Sequence, residues 1–247
     1  MTLGVLWGAS GFTQIVNIED RRLNHQHSSE LGGYIDLGAS ITQNGSNIVT
    51  MEASGQLEYL AGKHLWLVYG NYRQVIVNDN NFINRRVGHA RYNYSWKEWL
   101  TWEGFAQGQY NERLRIAFRG LLGTGPRFNL SPQANSNVYI GLSYMYEYES
   151  WLDTSIVFSD SRVNSYISFS IPLGKQVDFA STNYYQPLIS DFELFRVSSN
   201  SSLQIKISDA LSYRLGFSIT LDNRLGEGLP EVPSTTYNLT NSLRWRF

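Results

Sequence analysis

Tyr237-Asn238-Leu239-Thr240-Asn241-Ser242-Leu243-Arg244-Trp245-Arg246-Phe247 closes the chain. Counting back in twos from Phe247 gives Trp245, Leu243, Asn241, Leu239 and Tyr237, while Arg246, Arg244, Ser242, Thr240 and Asn238 fill the other register. Side chains alternate across a strand, so this segment has one apolar, aromatic-ended face and one wholly polar face. A soluble sheet would turn the apolar face inward, whereas a membrane barrel turns it outward toward lipid. The remaining sequence has to decide between them.

Alternation and turn residues together predict about 12 strands, at 31–43, 48–60, 64–77, 82–96, 99–110, 114–128, 138–148, 163–173, 177–188, 195–207, 211–221 and 235–247. In the second, Val49, Met51, Ala53, Gly55, Leu57 and Tyr59 oppose Thr50, Glu52, Ser54, Gln56 and Glu58. In the eleventh, Leu211, Tyr213, Leu215, Phe217, Ile219 and Leu221 oppose Ser212, Arg214, Gly216, Ser218 and Thr220. The third and ninth alternate poorly and have no assigned facing. Turn-forming groups at 44–46, 62–63, 78–80, 174–175 and 208–209 separate the strands and imply an antiparallel meander.

Composition points the same way. Aromatic residues make up 14% of the chain, with 16 Tyr, 12 Phe and 7 Trp, but charged residues only 17%. Soluble proteins carry roughly a quarter charged residues. Mean hydropathy is nonetheless −0.29, and no stretch approaches the ~18 consecutive apolar residues of a spanning helix. A barrel reconciles these facts by spreading its apolar surface over alternate residues. The net charge of −1 gives no reason to expect nucleic acid, and the lack of Cys excludes disulfides and thiol chemistry.

The expected architecture is therefore all-β: a transmembrane, antiparallel, up-and-down β-barrel of about 12 strands over 31–247, in a bacterial outer membrane. Closing strands of such barrels end as this one does, and Tyr237, Leu239, Leu243, Trp245 and Phe247 would form the signal read by the barrel-assembly machinery. An even strand number puts both termini on one side, expected to be periplasmic. Tyr92, Tyr94, Trp96, Trp99, Trp102, Trp245 and Phe247 then fall at one level and form an aromatic girdle, because such rings favour the lipid–water boundary. The longest connections, 149–162 and 222–234, fall on the outer side. A soluble β-sandwich is the alternative fold, and it leaves the clustering of aromatics unexplained. At the amino terminus, residues 1–13 read as the remnant of a secretory signal, and 14–30 as a polar periplasmic arm.

Residues 113–128 (RLRIAFRGLLGTGPRF) and 139–149 (YIGLSYMYEYE) resemble the DUF481 family of outer-membrane proteins. So do 201–207 (SSLQIKI) and 235–247 (TTYNLTNSLRWRF), and the early QIVNIE at 14–19 is similar to members from Bacteroidetes. The shared features are strand patterns and glycines, so the resemblance implies fold and location rather than chemistry.

The polar faces predict a charged lumen containing Glu52, Glu58, Arg91, Glu103, Arg115, Arg119, Glu147, Arg196, Lys206, Arg214, Arg244 and Arg246. A salt-bridged network filling the interior is one reading. A constriction for small solutes, with the arginine excess favouring anions, is the other. An accessory or scaffold subunit of a larger outer-membrane complex is a further possibility, with lipid and other membrane proteins as partners.

Enzymatic activity, cofactors and a resident metal are not expected. Asn24-His25-Gln26-His27-Ser28-Ser29 resembles the Asn-His-Gln-Ser motif of outer-membrane phospholipase A. However, the residue two after His25 is His27 rather than Ser, and the residues flanking His27 and Ser29 do not match. His25 and His27 with Glu19 or Asp20 lack a third patterned metal ligand. The glycines at 120–125 lack the Lys-Ser/Thr and helix of a phosphate loop.

Overall fold

The computed structural model describes residues 29–43, 47–78, 80–131, 137–224 and 234–247. They form twelve strands: β1 (Ser29–Gln43), β2 (Asn47–Ala61), β3 (His64–Val77), β4 (Asn80–Lys97), β5 (Leu100–Asn111), β6 (Ile116–Asn129), β7 (Asn137–Trp151), β8 (Val157–Pro172), β9 (Val177–Pro187), β10 (Phe195–Lys206), β11 (Leu211–Asp222) and β12 (Thr235–Arg246). Each strand pairs antiparallel with its chain neighbours, and β12 returns to β1, so the sheet closes. Closure removes every edge strand, which a span through lipid requires. The rim where β1 begins and β12 ends is the near rim; the opposite one is the far rim.

The polarity of the wall is the inverse of a soluble fold. In β2, Leu57 is 52% exposed on the outside while its neighbour Glu58 is 1% exposed on the inside. In β12, Tyr237, Leu239, Leu243 and Trp245 face out while Thr236, Asn238 and Arg244 are buried. Polar groups are inside and greasy ones outside, which excludes the soluble sandwich.

Several expected boundaries shift. β1 starts at Ser29, so the barrel takes the last two residues of the expected arm. The expected long connection at 149–162 shrinks to 152–156, because β7 runs on to Trp151 and β8 begins at Val157. Asp153 turns this short hairpin with φ 57°. Gly62, at φ 59°, turns the β2–β3 hairpin. Asn78, at φ 47°, helps turn β3 into β4 and accepts a hydrogen bond from the Asn47 backbone (2.9 Å).

The seam between β1 and β12 is the shortest ladder. It runs from Tyr34↔Arg246 to Leu37↔Leu243, extended by reciprocal Gly33–Phe247 backbone bonds of 3.2 Å. The β1–β2 ladder, by contrast, runs the whole length of β1. On the inner wall, glycines make room for rings. A Cβ on Gly141 would lie 2.0 Å from Tyr166, and one on Gly123 would lie 2.3 Å from Phe105.

Candidate functional site: the barrel lumen

Alternate residues of every strand point into the lumen, and along β6 they read Arg119, Leu121, Gly123, Gly125, Arg127. Charge therefore sits toward both ends of this strand, with an apolar stretch between. The same grouping recurs on neighbouring strands and divides the interior into three parts.

Toward the far rim lies an ionic cluster centred on Glu147 of β7. Its carboxylate meets Arg119 of β6 (3.0 Å), Arg162 of β8 (2.5 Å) and Arg196 of β10 (3.1 Å). Arg119 also pairs with Glu149, which accepts a bond from the Trp151 indole N–H. Arg196 donates through Nε to Asp222 Oδ2 (2.8 Å), and Arg162 donates to the Gln186 carbonyl (2.8 Å). Arg224, just beyond β11, pairs with Asp160 and lies 3.7 Å from Glu149. Arg119, Arg162, Arg196 and Arg224 are thus balanced by Glu147, Glu149, Asp160 and Asp222. At the far rim itself, Arg113 in the β5–β6 turn is held below the ordinary arginine value by partial burial and by Arg73.

Phe105, Leu121, Met145, Tyr166 and Tyr184 pack together in the middle. The Tyr166 hydroxyl donates to Glu103 Oε2 (2.7 Å) and so links this layer to the near half. There Glu103 also accepts from Arg91 Nη1 (3.1 Å) and lies 3.5 Å from Arg127 Nη1. The Arg127 guanidinium covers the Tyr139 ring at 3.6 Å, and the His89 ring stacks on Phe105.

Across the seam, Arg244 makes a bidentate pair with Asp36 (2.7 and 2.9 Å). It also donates to Gln204 (3.2 Å) and covers the Tyr34 ring at 4.1 Å. Tyr34 continues the chain of bonds through Gln56 to Glu58 (3.2 and 2.6 Å). Such pairs hold their geometry because breaking one strands a buried charge. Arg119, Glu147, Arg196 and Arg244 each have 0% exposure, so no water-sized sphere reaches them.

The residues expected in the lumen occupy different places. Glu58, Arg91, Glu103, Arg119, Glu147, Arg196 and Arg244 are buried inside. Glu52, half-buried on the inner face of β2, accepts a bond from Asn71 (2.9 Å). Arg214 and Arg246 lie half-buried on the inner face near the near rim, and Arg246 donates to Gln204 (3.1 Å). Two expectations are corrected. Arg115 is not on the wall: β6 starts only at Ile116, and Arg115 occupies the preceding turn with φ 55°. Its guanidinium instead meets exposed Asp153 (3.3 Å). Lys206 ends β10 at the near rim, where it faces Asp178 across 3.6 Å in solvent.

The inner face also holds charges that the sequence reading did not single out: Asp36, Arg127, Glu149, Arg162 and Asp222, with Arg224 beside them. Four of these fall within stretches read as connections, 149–162 and 222–234. The signal that could have found them is the continued alternation of Glu147, Glu149 and Trp151.

On the outer wall, Tyr92, Trp96, Trp99, Trp102, Trp245 and Phe247 are exposed toward the near rim, with Tyr94 half-buried among them. The ring extends to residues the sequence reading omitted. Tyr59, Trp66 and His64 stack in series there, and His64 Nδ1 lies 2.7 Å from the Tyr92 hydroxyl. His25 and His27 lie outside the described residues, as do Glu19 and Asp20.

The family model for DUF481, "Protein of unknown function", matches residues 35–242. No curated protein matches the chain. Among solved structures, the NanC porin superposes with a TM-score of 0.53 at 10% identity, over 85% of this chain and 98% of that one. The KdgM porin in complex with disordered oligogalacturonate gives 0.49 at 10% identity, over 87% and 99%. The translocator domain of the autotransporter NalP from Neisseria meningitidis gives 0.46 at 8% identity, over 93% and 92%. With its greasy wall, its closed sheet and the matched region spanning most of its length, this porin-like outer-membrane β-barrel belongs to the DUF481 family.

Proposed function

We propose that the chain is a non-enzymatic component of the bacterial outer membrane, a barrel whose interior is sealed by its own salt bridges and which works through its outer wall as a structural or scaffold subunit. One observation carries this reading. Arg119, Glu147 and Arg196, from three strands, meet in the lumen at 0% exposure, whereas a conducting constriction keeps its charges wet. The charges of the far cluster balance, so it needs no bound counter-ion. The near rim faces the periplasm in this reading, since its aromatic ring suits a membrane boundary. Its partners are outer-membrane lipid, other outer-membrane proteins and, during insertion, the barrel-assembly machinery. The outward row Tyr237, Leu239, Leu243, Trp245 and Phe247 is the surface offered to that machinery.

The test is conductance of the purified protein in a planar bilayer at two salt concentrations. An inserted but silent barrel is the expected result; steady single-channel current overturns the sealed interior. A second reading, a narrow anion-preferring channel, draws on the near half of the lumen. There Arg91, Arg127, Lys206, Arg214, Arg244 and Arg246 exceed Glu30, Asp36, Glu58, Glu103 and Asp178 by one charge. Steady current with anion selectivity that falls in Arg214→Gln would establish that reading instead.

A further inference from the structure

The far mouth of the lumen carries a second group of charges, on β3, β4 and the β5–β6 turn, apart from the balanced cluster around Glu147. On the inner face, Arg73 of β3 lies directly opposite Arg85 of β4, and Arg85 lies directly opposite Asn111 of β5. Arg85 and Asn111 are buried, while Arg73 is half-buried at the mouth. Like charges placed directly opposite on neighbouring strands repel. Arg113, two residues beyond Asn111, brings a third guanidinium close enough to feel Arg73. Glu52 of β2 lies opposite Arg73 on its other side. Arg86 on the outer wall and Arg115 in the turn are offset by Glu112 and Asp153. Among the described residues, three guanidiniums thus meet one carboxylate in this corner.

Asn111 is the independent sign of a ligand. It is 1% exposed, and its Oδ1 accepts from the Leu114 backbone N–H (3.3 Å). That bond caps the turn and decides which end of the amide is which, so Nδ2 is left as a donor. Nδ2 is buried and makes no hydrogen bond among the described residues, and the same is true of Arg113 Nε. A buried N–H without an acceptor is costly. Arg73 reaches the other way, donating to Asn238 Oδ1 of β12 (3.2 Å), and so spans the mouth. What this corner lacks is negative charge and acceptor oxygens.

We infer that this corner of the far mouth is an oxyanion site, taking a phosphate or a phosphate ester on Arg73, Arg85, Arg113 and Asn111 Nδ2. The planar fork of a guanidinium matches two oxygens of a phosphate at once. An oxyanion therefore supplies several acceptors together and relieves the repulsion between the opposed arginines. Chloride offers the charge but not the directed oxygens. The site opens on the lumen rather than on the lipid-facing wall, so its ligand is a dissolved solute and not a lipid headgroup. It lies apart from the near half of the lumen, so it stands whether or not the barrel conducts.

The test is calorimetric titration of the full-length folded barrel, in detergent micelles, with inorganic phosphate at constant ionic strength in a chloride buffer. Saturable binding is expected. Arg113→Gln should weaken it about tenfold. Asn111→Asp keeps the oxygen that caps Leu114 but puts a carboxylate where the donor was, and it should abolish binding. Arg115→Ala, on the same turn but paired with Asp153, should bind as the wild type does. Heat-modifiable gel migration shows separately that each variant is folded. Asn111→Asp supplies from within the charge that phosphate supplies from without, so its compact band should survive to a higher temperature than that of the wild type in phosphate-free buffer. A folded wild-type barrel that takes up no phosphate overturns the inference. So does an Arg113→Gln or Asn111→Asp barrel that binds phosphate as tightly as the wild type, or chloride that displaces phosphate at equal concentration.

Discussion

Glu147 is the point at which the interior can be tested most directly. Its carboxylate holds three arginines, from β6, β8 and β10, and all four side chains are almost completely buried. In Glu147→Gln, Arg119 keeps Glu149 and Arg196 keeps Asp222, but Arg162 is left with the neutral Gln186 carbonyl and the new amide. Each lost ion pair is worth about 4 kcal/mol by Coulomb's law at an effective dielectric near 20. Lower charge crowding and relaxation return part of that. Breaking a buried pair by removing one partner typically costs about 3–5 kcal/mol, and we expect Glu147→Gln to fall in that range. The assay is urea unfolding in lipid vesicles, followed by the fluorescence of the seven Trp residues. Arg115→Ala, which breaks the solvent-exposed pair with Asp153, serves as the comparison and should cost no more than about 1 kcal/mol. Replacing both partners, as Glu147→Gln with Arg162→Met, should restore about 1–3 kcal/mol relative to additivity. If Glu147→Gln costs no more than Arg115→Ala, the buried cluster does not hold the barrel together and the reasoning fails.

Other consequences are simpler to state. Asp36→Asn removes the charge opposite buried Arg244 at the seam; we expect a loss of about 3 kcal/mol, seen as a lower temperature for loss of the compact band on gels. Gly141→Ala puts a methyl group into the Tyr166 ring. It should cost about 1–3 kcal/mol by overpacking, and Gly141→Ala combined with Tyr166→Ser should recover part of that in the same unfolding assay. Trp102→Phe keeps the aromatic ring but loses the indole bond to Thr124 (2.8 Å). It should shift the unfolding free energy by no more than about 1.5 kcal/mol; a larger loss would mean the residue does more than anchor the wall.

How much was readable in advance varied with the strand, for physical reasons. β2, β11 and β12 alternate cleanly because one face meets lipid and the other meets charged or hydroxylic neighbours, so period two survives in the sequence. β3 and β9 do not. β3 turns Leu67 and Tyr69 inward beside polar residues, and β9 turns Ala180 and Tyr184 inward while Ser181 and Asn183 face out. In both, the usual relation between polarity and facing breaks down, and only the ladders on either side fix the register. The charged lumen was legible as a list of side chains but not as a set of pairs. Glu147 could be placed from its strand, yet Arg162, Glu149 and Asp222 fell in stretches rich in Ser, Asp and Gly that read as connections. Hydrogen-bonded hairpins carry such residues as readily as loops do, and a strand's end is set by its partner rather than by its own composition. Arg115 failed for the opposite reason: alternation was extrapolated through a turn that local hydrogen bonds hold at positive φ.

The short seam has a bearing on how the protein is made. All eleven pairings between chain neighbours can form as soon as two adjacent segments exist, but Asp36 must wait for Arg244, 208 residues later. Loop closure over that span cannot be rewarded until the whole sheet is laid out, which makes it the slow step of a topology rich in local hairpins. Until then β1 and β12 are two bare edges, each able to pair with a foreign strand. Asp36 and Arg244 therefore act in time as well as in space: they are the contact that ends the window in which the nascent sheet can be captured by another protein or lost to aggregation.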